Sequence, residues 1–111
     1  MQAGQLTYRA KFQSRAPQND GYGNTVSVWQ DLFTRWCNVR FLRGTEAVMA
    51  ARLEGRQPVI ITVRRCTQTR AINSDMRCII DGRTYNVREL PRPSQDRAWL
   101  ELLAESGVAD G

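Results

Sequence analysis

Apolar side chains recur at every second position where this chain opens, and strand-forming residues dominate most of the rest, with one stretch that changes to a helical pattern. Leu6, Tyr8, Ala10 and Phe12 alternate with Gln5, Thr7, Arg9, Lys11 and Gln13. A period of two puts one set of side chains on a single face of an extended strand, so Leu6, Tyr8 and Phe12 are expected toward the core. Residues 25–30 read as a short strand and 31–42 as a longer one. Phe33, Trp36, Cys37, Val39 and Phe41 give the second its apolar weight, and its mixed alternation suggests a bulge or bend near Trp36. Residues 58–64 are β-branched and open on a proline, which fits the start of a strand. Strands at 76–80 and 84–90 flank Asp81-Gly82-Arg83, and Asp-Gly suits the tight primed turn of a hairpin. Residues 98–103 form a closing strand. The pattern predicts a mainly β fold, a small β-barrel of about six or seven strands with one short inserted helix. A closed core satisfies the alternating faces, and closure removes exposed sheet edges.

The break in period falls at residues 44–55, where strong helix formers dominate. Thr45 is placed to cap the N-terminus and Gly55 to stop the helix, with Val48, Ala51 and Leu53 as candidates to face a core. Residues 17–24 form a turn-rich loop whose Gly21 and Gly23 can take positive φ. Residues 67–74 read as a polar connection and 91–96 as a second loop. The ends, 1–4 and 106–111, are expected to be flexible.

The 111 residues make one domain, 1–111, and a chain of this length buries roughly 65% of its unfolded surface without metal or disulfide. No apolar run approaches a membrane span, and the polar start gives no sign of a signal peptide, so no membrane partner is expected. Cys37, Cys66 and Cys78 are widely spaced, no C-x-x-C occurs and histidine is absent. They read as reduced, largely buried thiols, with no metal and no cofactor implied. Without histidine no Ser-His or Cys-His nucleophile can be built, and the acids Glu46, Glu54, Asp75, Asp81, Glu89 and Asp96 are scattered beside arginines or in turns. Gly21-Tyr22-Gly23 is too short for a phosphate cradle. The reading is therefore not an enzyme, and no residue is assigned a catalytic role.

The net charge is +5, carried almost wholly by arginine. The span 35–97 holds thirteen arginines against six acids, whereas 98–111 holds acids only. Arginine is planar and weakly hydrated and suits carboxylate, phosphate and interface contacts. The aromatics could in principle stack bases. Tyr8 and Phe12, however, share parity with Leu6, and Trp29 and Trp36 are expected as core anchors at the sheet ends.

Taken in order, these signals resemble the head–tail joining (head-closure, or connector) proteins of tailed bacteriophages. The likeness runs from Gly4, Leu6 and Arg9, through the loop Asp20 to Gly23 and Trp29, to Trp36, Leu42, Gly44 and Glu46. It continues with the alanine-rich helix, the strand at 59–65, Arg77, the hairpin Gly82 to Tyr85 and the Leu100 to Leu102 strand; Phe41 and Pro58 depart from the usual residues. The resemblance implies a small β-barrel with a helix, several copies of which form a ring in the virion neck. The implied partners are the portal and adaptor proteins above and tail proteins below, with duplex DNA passing transiently. Alternatives are a tail-terminator-like assembly protein and a free-standing nucleic-acid-binding barrel. Within this frame, Arg43, Glu46, Arg52, Glu54 and Arg56, on the excursion between two long strands, are candidates to contact the channel or a neighbouring subunit. Arg64, Arg65, Arg77, Arg83, Arg88, Arg92 and Arg97 are candidate interface arginines.

Overall fold

A computed structural model describes residues 4, 6–19, 21–23, 25–94 and 97–107. The expectations for Asp20, Asn24, Asp96, the first three residues and the last four lie outside the described residues. Seven strands and two helices are present: β1 (Tyr8–Asn19), β2 (Thr25–Phe41), α1 (Glu46–Leu53), β3 (Gln57–Arg64), α2 (Thr67–Arg70), β4 (Arg77–Ile80), β5 (Arg83–Val87), β6 (Arg92–Pro93) and β7 (Trp99–Ser106). All pairings are antiparallel, in the order β3-β2-β1-β4-β5-β7-β6. A further pairing of β3 with β7 closes six of them into a ring, with β6 attached outside it to β7. The fold is mainly β, as the alternation requires.

The inward faces follow the period of two. Ala10 and Phe12 of β1 meet Cys37 of β2, Val59, Ile61 and Val63 of β3, Cys78 and Ile80 of β4, Tyr85 and Val87 of β5, and Leu100, Leu102 and Ala104 of β7. Phe12 is fully buried and stacks on Phe33, ring centroids 5.0 Å apart. Two tight turns match their sequence signals. Asp81 and Gly82 both have positive φ, 52° and 75°, and Ile80 pairs directly with Arg83, the primed two-residue hairpin. Thr45 accepts a hydrogen bond from the Val48 N–H at 3.2 Å and starts α1. Gly55, at φ 84°, ends it: its N–H reaches the Arg52 carbonyl and the Arg56 N–H the Ala51 carbonyl.

Six expectations are corrected. Residues 25–42 are not two strands but one, β2, and the loop expected at 17–24 is shorter because β1 runs to Asn19. The bend lies not near Trp36 but at Leu32, the extra residue where register shifts from Phe12↔Phe33 to Gln13↔Asp31. Pro17 is tolerated within β1 because, among the described residues, that stretch pairs only with β2, so one edge needs no N–H. The polar connection contains a one-turn helix, α2, and the loop at 91–96 contributes β6. Ser106 is no frayed end: it is 5% exposed and pairs with both Gln57 and Tyr85.

The topology explains α2. Around the six-strand ring, β3 and β4 stand opposite one another, so the chain joining them must cross the end of the ring. Ile72 and Met76 on that crossing are buried in the core, 2% and 3% exposed. Thr69 is fully buried, its hydroxyl donating to the Arg64 carbonyl at 2.8 Å and accepting from the Cys66 N–H at 2.9 Å. This segment seals one end. The opposite end stays shallowly open as a pocket of about 220 Å³ lined by Tyr8, Val39, Phe41, Ile80, Asp81, Arg83 and Tyr85.

Candidate functional site

α1 joins β2 to its neighbour β3 and so stands beside the ring rather than across it. Of the three side chains expected to face a core, Ala51 is buried and Val48 half-buried, but Leu53 is 88% exposed. Met49, one turn before Leu53, is 53% exposed. The helix therefore presents an apolar pair outward, bracketed by exposed Arg43, Glu46, Arg52 and Glu54. Arg56 differs. Its guanidinium spans Glu54 at 2.7 Å and Glu105 at 3.1 Å, tying the helix exit to the end of β7. These carboxylates, Glu54 first, raise its already high pKa further. Gly107 packs so closely on the Gly55 carbonyl that a Cβ there would collide with it.

The interface arginines scatter over several surfaces. Arg64, Arg65, Arg83, Arg88, Arg92 and Arg97 are exposed and Arg77 half-buried. Arg92 pairs with Glu89 at 3.5 Å, and Arg65 reaches the Arg97 carbonyl at 3.5 Å. Arg77 donates to Gln13 at 2.8 Å and lies 4.1 Å from the ring centroid of Trp29. Gln13 also donates to Asp31, which pairs with Lys11 at 3.7 Å, so a polar ladder runs over the outside of β1 and β2.

Each tryptophan stands directly across the ladder from an arginine: Trp36 from Arg9, Trp29 from Arg15 and Trp99 from Arg64. In every pair the guanidinium lies 5.0–5.1 Å from the ring centroid. None of the three is part of the core cluster. Trp29 and Trp36 are thus not core anchors, a correction that follows from parity: Trp36 opposes Arg9, on the face away from Ala10. The cross-strand register is what couples Arg9 to Trp36 and Arg15 to Trp29, pairings that the sequence alone does not show.

The thiols are uneven. Burial pushes Cys37 up to about 12, with Asp81 adding to the rise, and burial followed by Cys37 raises Cys78. At Cys66 partial burial acts upward, but hydrogen bonds from Thr69 and Gln68 and the charge of Arg35 bring its pKa below the ordinary value. Among the described residues no three His, Cys, Asp or Glu side chains gather to hold a metal, and no helix is long and apolar enough to cross a membrane.

The whole described fold lies inside a single match: residues 1–107 correspond to the phage head completion proteins. The chain belongs to that family. Among solved structures, the head completion fold is similar to a protein of Shigella flexneri 2a determined in solution, with TM-score 0.71, 25% identity, and 99% and 100% of the two chains covered. It is also similar in fold to a chain in the virion of a native gene transfer agent particle, with TM-score 0.63, 19% identity, and 94% and 97% covered. No curated protein matches it in sequence.

Proposed function

We propose that this head completion protein is a structural component of the phage neck. It closes the DNA-filled head beneath the portal and adaptor, offers the tail its docking surface, and does so as a ring of copies without catalysing a reaction. The observation that carries this reading is family membership across residues 1–107. Two features of the structure support it. One end of the strand ring is sealed by its own chain, so the module has no through-channel of its own and DNA would pass between copies. The excursion holding Arg43, Glu46, Arg52 and Glu54 stands clear of the ring with Met49 and Leu53 exposed, suited to a neighbouring subunit.

A conduit that releases DNA cannot adhere to it strongly along its length, because every neutralised phosphate adds to a steeply salt-dependent affinity. Arg64, Arg65, Arg77, Arg83, Arg88, Arg92 and Arg97 accordingly face subunits, adaptor or outer solvent in the assembled neck, with few on the channel wall. Electron microscopy of the protein mixed with its cognate portal–adaptor complex tests the proposal. A ring of added density on the tail-facing side is expected. Absence of bound protein at micromolar concentration, or a ring whose lumen is lined by these arginines, would overturn it.

A further inference from the structure

β2 outruns one of its partners. β1 follows it from Thr25 to Cys37, but β3 pairs with it only from Cys37 to Phe41. Residues 31–36 therefore have one sheet edge without a strand among the described residues. A groove of about 430 Å³ runs beside this edge, lined by Leu6, Thr34, Arg35, Trp36 and Arg64. Unpaired edges are templates for another extended chain, and proteins normally cover or blunt them.

The charges around the groove are held but not neutralised. Arg35 donates through Nε and Nη2 to the Gln68 side-chain oxygen, at 2.9 and 2.6 Å. Arg64 rests on Trp99 and Arg9 on Trp36. All three guanidiniums are fixed by neutral partners, and among the described residues none forms a salt bridge, whereas Lys11, Arg56 and Arg92 each do. Trp36, 50% exposed, adds an apolar wall, and among the described residues no carboxylate lines the groove. Tryptophan and arginine are the residues that most often dominate binding energy at protein interfaces.

We propose that the free edge of β2 receives an extended acidic segment of a partner protein. The segment adds a strand at residues 31–36, sets carboxylates against Arg35 and Arg64, and lays an apolar side chain on Trp36. Main-chain hydrogen bonds supply affinity in this mode and alternate side chains supply specificity. Duplex DNA would satisfy the arginines but has no peptide groups for the edge. The inference deepens the neck reading by naming the chemistry of a partner. It is tested on the isolated protein, so failure of ring assembly and failure of this contact are separately visible.

The probe is a capped eight-residue peptide of alternating glutamate and valine with one central leucine. It is titrated calorimetrically, and amide hydrogen exchange is followed by NMR. Saturable binding with slowed exchange confined to residues 31–36 is expected. Arg35→Gln and Arg64→Gln should each weaken it about tenfold to a hundredfold, the usual worth of a hydrogen bond to a charged group. The same peptide methylated at alternate backbone nitrogens should not bind, which tests the edge with the protein unaltered. Equal binding by a lysine-for-glutamate peptide, unchanged exchange in β2, undiminished binding after methylation, or displacement of the peptide by random-sequence duplex DNA would each overturn the proposal.

Discussion

Ile72→Ala, set against Leu53→Ala, asks which segment seals the ring. Ile72 lies on the crossing from β3 to β4 and is 2% exposed, whereas Leu53 lies on α1 and is 88% exposed. Removing three buried carbons forfeits about 2.4 kcal/mol of transfer free energy at ~0.8 kcal/mol each. The crossing is held at both ends by strands and by the Thr69 hydrogen bonds, so it cannot collapse fully, and the residual cavity adds about 1 kcal/mol. The total, about 3–4 kcal/mol, is a large part of the ~5–15 kcal/mol stability of an ordinary domain. Leu53→Ala should cost less than about 0.5 kcal/mol, as exposed substitutions do. With a urea slope of roughly 1–2 kcal/mol per molar, Ile72→Ala should lower the denaturation midpoint by about 2 M and Leu53→Ala by a few tenths at most. Equal shifts, or the reverse order, would show that α1 covers the core and that the crossing is loosely held.

The thiols should separate in rate: iodoacetamide at neutral pH should modify Cys66 first, with Cys37 and Cys78 protected until unfolding, which mass spectrometry of timed samples will show. Cys37 is pushed from 9.0 to about 12, so its neutral form favours the folded state. That contribution is complete below pH 9 and is lost as pH rises toward 12; the urea midpoint should fall across this window, and less so in Cys37→Ala. Gly82→Val forces a β-branched residue to positive φ and should cost about 1–2 kcal/mol in thermal or urea unfolding. Arg52→Glu should leave the melting temperature unchanged while lowering the yield of completed particles, whereas Arg56→Glu should lower the melting temperature itself, because it sets a third acid against Glu54 and Glu105. Light scattering of the isolated protein at micromolar concentration should give a monomer or weak oligomer, the ring forming on the portal; a stable closed ring would contradict this.

What could be read in advance was local. Asp81-Gly82 needs only its own backbone to make a hairpin, and Thr45 and Gly55 bound α1 through bonds a few residues away. The alternation in β1 placed Ala10 and Phe12 correctly because their neighbours in sequence carry the pattern. Residues 33–41 mix two parities, so the place of the tryptophans is not legible locally, and only the partner strand shows that Trp36 opposes Arg9. The one-turn helix α2 has no sequence signature. It exists because a ring with β3 and β4 on opposite sides needs a crossing, and Thr69 is buried only once Arg64 and Cys66 are in place. Small polar residues such as Ser106 suggest a loose end; its order comes from strands on both sides of it.

Among the described strands β7 leaves the ribosome after the others, and three of them wait on it. It pairs with β3 along one edge and with β5 and β6 along the other, and Gln57 meets Ser106 across most of the second half of the chain. Until it arrives, β3 has an open flank and the apolar faces of the other strands have nothing to close against. A nascent chain is thus exposed to mispairing until β7 is made, and closure over such separations is slow. In a cell making many copies at once, the yield of competent subunits would be set by the interval between translation of Trp99 and the docking of its strand.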